Sequence, residues 1–152
     1  MTIPRNLSVL AEYAGAPNTP TFQLPNAAEN ANIVAAAPAS TQNFYIGSGS
    51  VQYYTTSAAN NWTLNVAFSS GTSLNTALVT GQSVTIALLT TQGATAYYQS
   101  ALTIDGTSVT PKWQGGTAPT SGNASGIDVY VLTIVKTASA TDTVLASQTK
   151  FA

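Results

Sequence analysis

From residue 42 onward, apolar and polar positions alternate with a period of two. In NWTLNVAF (61–68), Trp62, Leu64, Val66 and Phe68 fall on one side and Asn61, Thr63, Asn65 and Ala67 on the other. Successive strand side chains point to opposite faces, so this stretch predicts a strand with one face in a core and one in water. SVTIALL (83–89) repeats the pattern with Val84, Ile86 and Leu88 inward. In ALTIDGTSVT (101–110), Asp105-Gly106 supplies the positive φ pair of a two-residue hairpin, which sets Ile104 opposite Thr107 and Leu102 opposite Val109. IDVYVLTIVKT (127–137) is apolar on both faces, as a strand covered on both sides would be. TVLASQTKFA (143–152) follows a short connection and is expected to be its antiparallel neighbour. Continuing the alternation from Thr107 through Val109 and Pro111 puts Trp113 on an inward or interface position, ahead of a polar connection rich in small residues, GGTAPTSGNASG.

With NFYI, SVQYYTT and TAYYQSA added, the chain carries about eight strands at short spacing, which argues against βαβ units. The fold class expected is all-β, an antiparallel β-sandwich with the jelly roll as one arrangement of its strands. TSLNTALVTG (72–81) has room for one helical turn between strands. Upstream the pattern differs. Leu7, Leu10, Ala11 and Ala14 are at helical spacing, and the stretch from Gly15 to Ser40 carries Pro17, Pro20, Pro25 and Pro38 among Ala, Asn and Thr. Residues 1–40 therefore read as an extended docking arm that begins with a short helix, and residues 41–152 as the β-domain. Leu7, Leu10, Phe22 and Ile33 are its candidate anchors.

Composition narrows what such a domain does. Only four Lys or Arg and five Asp or Glu occur in 152 residues, giving a net charge of −1. That leaves no basic stripe for nucleic acid. It also leaves little charge to blunt exposed sheet edges, so coverage by another chain is expected, as a homo-oligomer with a trimer favoured. No apolar run reaches the roughly 18 residues of a membrane-spanning helix, and the opening lacks the apolar core of a secretory signal, so no membrane insertion or export is expected.

The chain has no histidine and no cysteine, which excludes Ser-His-Asp and Cys-His catalysis and the usual zinc ligand sets. No phosphate-cradling loop occurs, and GSGS (47–50) lacks the third glycine of a dinucleotide fingerprint. Asp105 is explained by its turn and Asp142 by the last connection, leaving little basis for a catalytic carboxylate pair. No enzyme activity, cofactor or metal is expected. The pairs Tyr53-Tyr54 and Tyr97-Tyr98 are different: adjacent strand residues face opposite ways, so one ring of each pair points out of the core. Such rings, with Trp113, are candidates for a subunit contact or for stacking on a host surface glycan.

The segments NAAENANIVAAAPAST, NWTLNV, GQSVTIALL, YYQSALTIDGTSVTPKWQGGTAPTSGNASGIDVYVLTIVKT and TVLASQTKFA, together with the opening IPRNLSVLAE, resemble a module of virion structural and tail-fibre-like proteins of marine tailed bacteriophages. WQGG…GNASGIDVY is its most specific part. The resemblance implies a non-enzymatic virion protein, made in the bacterial host cytoplasm and displayed on the particle, with capsid or tail subunits as partners. It transfers no catalytic residue. Fibres are long and carry repeated shafts, whereas this chain has one arm and one β-domain, which points to a head decoration protein, a short head fibre or a tail accessory subunit. A host-attachment, glycan-binding module is the alternative.

Overall fold

The computed structural model describes residues 28–152. The arm helix and the anchors Leu7, Leu10 and Phe22 lie outside them. Among the described residues, ten strands form two sheets packed face to face: β1 (Ala31–Val34), β2 (Thr41–Tyr45), β3 (Val51–Tyr54), β4 (Trp62–Ala67), β5 (Ser83–Thr91), β6 (Gln99–Ile104), β7 (Thr107–Ser108), β8 (Lys112–Trp113), β9 (Ile127–Ala138) and β10 (Thr141–Phe151). One sheet has the order β1-β3-β5-β9-β10-β8 and the other β2-β4-β6-β7. The molecule is an all-β sandwich, as the alternation required.

The pairing is not the antiparallel one expected. From β1 to β6 the chain passes from one sheet to the other at every connection. Strands that follow one another within a sheet are therefore separated by a full winding and run parallel: β1, β3 and β5 in one sheet, β2, β4 and β6 in the other. A parallel pair needs a crossover, which a helix usually supplies; here the crossover is a strand of the facing sheet. Antiparallel pairing is confined to β6–β7, β5–β9 and β9–β10, and the jelly roll finds no support in such a winding. Turn spacing locates strands but does not say which strand each one pairs with.

Several local expectations hold. Asp105 (φ 51) and Gly106 (φ 79) form the β6–β7 hairpin, with Ile104 opposite Thr107 and Val109 N–H donating to Leu102 O. A single helical turn, α1 (Leu74–Ala77), sits between β4 and β5, and β10 returns antiparallel along β9. Two expectations fail. Phe68 lies beyond the end of β4 and is 38% exposed, its backbone oxygen and ring edge packed against Gly47. Ala31–Val34, read as arm, pair with β3 as the edge strand of the six-stranded sheet, so the sandwich starts before residue 41.

The core between the sheets is built from Phe44, Trp62, Leu64, Val66, Leu74, Ile86, Leu88, Leu102, Tyr130, Leu132, Ile134 and Val144, each at most 2% exposed. Trp62 and Tyr130 meet edge to face, with ring centroids 5.8 Å apart, an arrangement that sets the positive ring edge against the negative face. The two outer faces differ. On the four-stranded sheet, Asn43, Asn65 and Thr103 lie side by side in register and form a hydrogen-bonded ladder: Asn65 Nδ2 to Asn43 Oδ1 at 2.9 Å and Thr103 Oγ1 to Asn65 Oδ1 at 2.8 Å. The outer face of the six-stranded sheet carries Ile33, Tyr53, Leu89 and Val129 in one cross-strand row and Ala31, Val51, Ala87 and Val131 in the next.

Candidate functional site

The chemistry-bearing side chains gather at one end of the sandwich, where β9 begins. Asp128, on the inward face of β9, is fully buried. Its Oδ2 accepts from Gln92 Nε2 at 3.0 Å and from the Asn123 backbone N–H at 3.1 Å. Burial pushes its carboxyl above the usual range, against the opposing effects of these bonds and of the Lys150 charge. At the next inward position, the Tyr130 hydroxyl accepts from Gln148 Nε2 at 3.0 Å and from the Gln99 backbone N–H at 3.2 Å, and burial raises its pKa as well. Gln92 also bonds both backbone groups of Tyr97: Tyr97 N–H donates to Oε1 at 2.9 Å, and Nε2 donates to Tyr97 O at 2.8 Å. Among the described residues, four atoms of this buried cluster have no hydrogen-bond partner: Trp62 Nε1, both side-chain polar atoms of Gln99, and Asp128 Oδ1.

The small-residue connection after Trp113 closes this end. A Cβ on Gly122 would stand 2.2 Å from Tyr97 O and 2.7 Å from Asp128 Oδ2, and one on Gly126 would stand 2.2 Å from Phe151 O. Only glycine permits such approach. The connection is pinned by Asn123 Nδ2 to Phe151 O (2.8 Å), Gln148 Nε2 to Ser121 O (3.1 Å), Lys150 Nζ to Ser121 Oγ (3.2 Å) and Ser125 N–H to Gly93 O (2.8 Å). Lack of side-chain volume, which from sequence reads as inertness, is what lets the loop seat against the cluster.

Beside it a cleft of about 250 Å³ opens between the β6–β7 edge and the start of the connection, lined by Gln99, Leu102, Val109, Pro111, Trp113 and Pro119. Trp113 packs on the core from this side, in keeping with its alternation. The tyrosines divide. Tyr54 is 2% exposed and bonded to Gln52, and burial pushes its hydroxyl up to about 12. Tyr53 is half-buried on the outer face of the six-stranded sheet, as one ring of the pair had to be. Tyr97 and Tyr98 precede β6, so strand alternation does not govern them; both are half-buried, and Tyr97 packs against the core beside Gly122. Ile33 is 59% exposed on β1. The candidate residues thus do not form one site: Tyr97 and Trp113 flank the closed end, while Tyr53 and Ile33 share a sheet face.

Two further charges serve α1. Both oxygens of Asp105 accept from its first backbone N–H groups, Leu74 at 2.7 Å and Asn75 at 2.9 Å. Lys136, only 7% exposed, donates to the carbonyls of Asn75 and Leu78 at its other end. Charges of these signs complement the unpaired groups at each terminus of a helical turn. Burial, and then the nearby Asp105 charge, push the Asp142 carboxyl above the usual range against the opposing Lys136 charge. Among the described residues no three His, Cys, Asp or Glu side chains come together as a metal site. Searches against family models, curated proteins and solved structures find no match to this chain.

Proposed function

We propose that the chain is a non-enzymatic structural subunit of a bacteriophage particle, a head decoration protein, short head fibre or tail accessory protein, docked on neighbouring virion subunits by its N-terminal arm. One observation supports this most: among the described residues β1 is the outermost strand of its sheet, with one side of its backbone unpaired and Ile33 exposed, and residues 1–27 precede it in the chain. An extended segment entering at a sheet edge can pair its backbone with another chain and set apolar anchors into that chain's surface. The sparse charge and the glycine-seated closed end fit a rigid displayed module better than a site that must open. Because β1 belongs to the sandwich, the informative truncation removes residues 1–27 and keeps β1. The truncated chain should melt as the intact one does and be lost from purified particles; particles carrying it at full occupancy would sink the reading.

A glycan-binding role is the second reading, and the cleft beside Trp113 is the observation that favours it. An indole and two prolines can cover an apolar ring face. Binding of a neutral glycan that is lost in Trp113→Ala, while the fold is kept, would move the assignment to host attachment.

A further inference from the structure

The two outer faces of the sandwich differ in chemistry. On the four-stranded sheet the outward positions include Thr41, Asn43, Thr63, Asn65 and Thr103, of which Asn43, Asn65 and Thr103 bond to one another. On the six-stranded sheet Val51, Leu89, Val129, Val131 and Val135, with Leu145 and Phe151 at 50% and 53% exposure, are interleaved with the uncharged hydroxyls of Thr85, Thr133, Thr143, Ser147 and Thr149. A strand apolar in both phases, as β9 is, is normally covered on both faces, and among the described residues nothing lies over this one. Within the strands, register puts a single charged side chain on the face: Lys112, level with Leu145 at the β8 edge.

We propose that this face packs against the same face of a second copy of the chain. With strands about 4.8 Å apart and about 3.3 Å per residue, the outward side of β1, β3, β5, β9 and β10 covers roughly 630 Å². Two such faces bury roughly 1,260 Å², which passes the 1,000 Å² or so that separates a specific interface from casual contact. A second copy meets the face without burying an unpaired charge, and two sheets stack in this way at about 10 Å.

The charges also select an orientation. Continuing the β1 register two residues back from Ala31 sets exposed Glu29 level with the row Thr85, Thr133, Leu145 and Lys112, at the opposite edge from Lys112. A two-fold axis along the strands lays β8 of one copy over β1 of the other, and so brings each Lys112 toward the partner's Glu29 end. Such a self-complementary contact closes with two copies, in place of the trimer expected from the sequence. The interface does not rest on the virion reading and can fail or hold without it.

The test is sedimentation of the intact chain. At about 50 μM it should run as a dimer, and Val131→Lys or the already exposed Leu145→Lys should weaken association by about 100-fold or more, since each buries two charges per pair. Thr63→Lys on the opposite face should leave the dimer intact. Lys112→Glu should weaken it a few-fold and Glu29→Lys in the same chain should restore it. Because the chain has no cysteine, Thr133→Cys provides a single thiol whose crosslinking reports the face directly, with Thr63→Cys as control. A monomer at this concentration, or a dimer indifferent to Leu145→Lys and uncrosslinked through Thr133→Cys, overturns the proposal; failed rescue by Glu29→Lys overturns the axis. Leu145→Lys leaves an exposed position exposed, so its outcome does not depend on whether the Val131 variant folds.

Discussion

Asp128 gives the sharpest test of how the closed end is held, because its two plausible substitutions should act in opposite ways. Asp128→Ala takes the acceptor from the Asn123 N–H and from one of the Gln92 donations, bonds of 3.1 and 3.0 Å to a buried carboxylate. Hydrogen bonds to a charged group contribute about 1.5–3 kcal/mol each, and removing the charge itself returns part of that, so a net loss of about 2 kcal/mol is expected. For a domain of this size that lowers Tm by about 6–10 °C. Asp128→Asn keeps an oxygen for both donors and removes only the charge, so at pH 7 it should stay within about 1 kcal/mol of the wild type. The folded-state pKa of Asp128 is raised, so the native state holds this proton more tightly than the unfolded chain. The stability it contributes is complete below the ordinary carboxylate range and lost as pH rises through the folded pKa. The Asn variant should therefore gain on the wild type as pH goes from 3 to 7. Urea unfolding of the three proteins across that range decides the matter. An Asn variant that loses as much as the Ala variant at pH 7, or that loses ground as pH rises, would refute the account of Asp128 as a buried acceptor that burial disfavours as an anion.

Three further outcomes follow from the same structure. Asp142 is also raised, and the chain has few carboxylates and no histidine to charge, so Tm should not fall between pH 7 and pH 4, unlike the usual acid loss; a clear drop in a scanning calorimeter would contradict this. Asp105→Ala should cost about 2 kcal/mol by uncapping α1, whereas Asp105→Asn, which keeps one acceptor, should cost about half as much in chemical denaturation. Gly122→Ala should lose at least about 2 kcal/mol, because its Cβ would stand 2.2 Å from a backbone oxygen; Gly71→Ala, with open space around it, should be nearly silent in the same assay.

What the sequence disclosed is local, and what it withheld is mostly long-range. Trp62, Leu64 and Val66 alternate into the core because one face of β4 must be dry, and Asp105-Gly106 turns because few other pairs accept two positive φ values. The partners of β1 through β6 were not legible, since a two-residue period is the same whether the neighbour runs parallel or antiparallel. The buried cluster was hidden for another reason: Gln and Thr are common throughout this chain, so Gln92, Gln99 and Gln148 did not stand out by type. A signal was present in phase. Asp128 shares a face with Tyr130, Leu132 and Ile134, and Gln52 shares one with Tyr54, so each is a polar residue standing where the alternation calls for an apolar one. The apolar outer phase of β9 was readable, but that no other part of the sandwich covers it needed the sheets themselves.

The winding of β1 to β6 also bears on how the molecule comes to exist at all. Each early strand finds its sheet neighbour only after the chain has crossed to the far sheet and back, and β5, the last strand of that winding in its sheet, gains its second partner only when β9 arrives. Synthesis from the N-terminus therefore produces a growing set of parallel strands whose inner faces lack Tyr130, Leu132, Ile134 and Val144 until β9 and β10 emerge. Loss of those two strands should leave nothing that holds together, while loss of β1 should leave most of the core in place. A ribosome stalled just short of β9 should hold a protease-sensitive nascent chain, and release of the finished chain should be followed by folding in a single step.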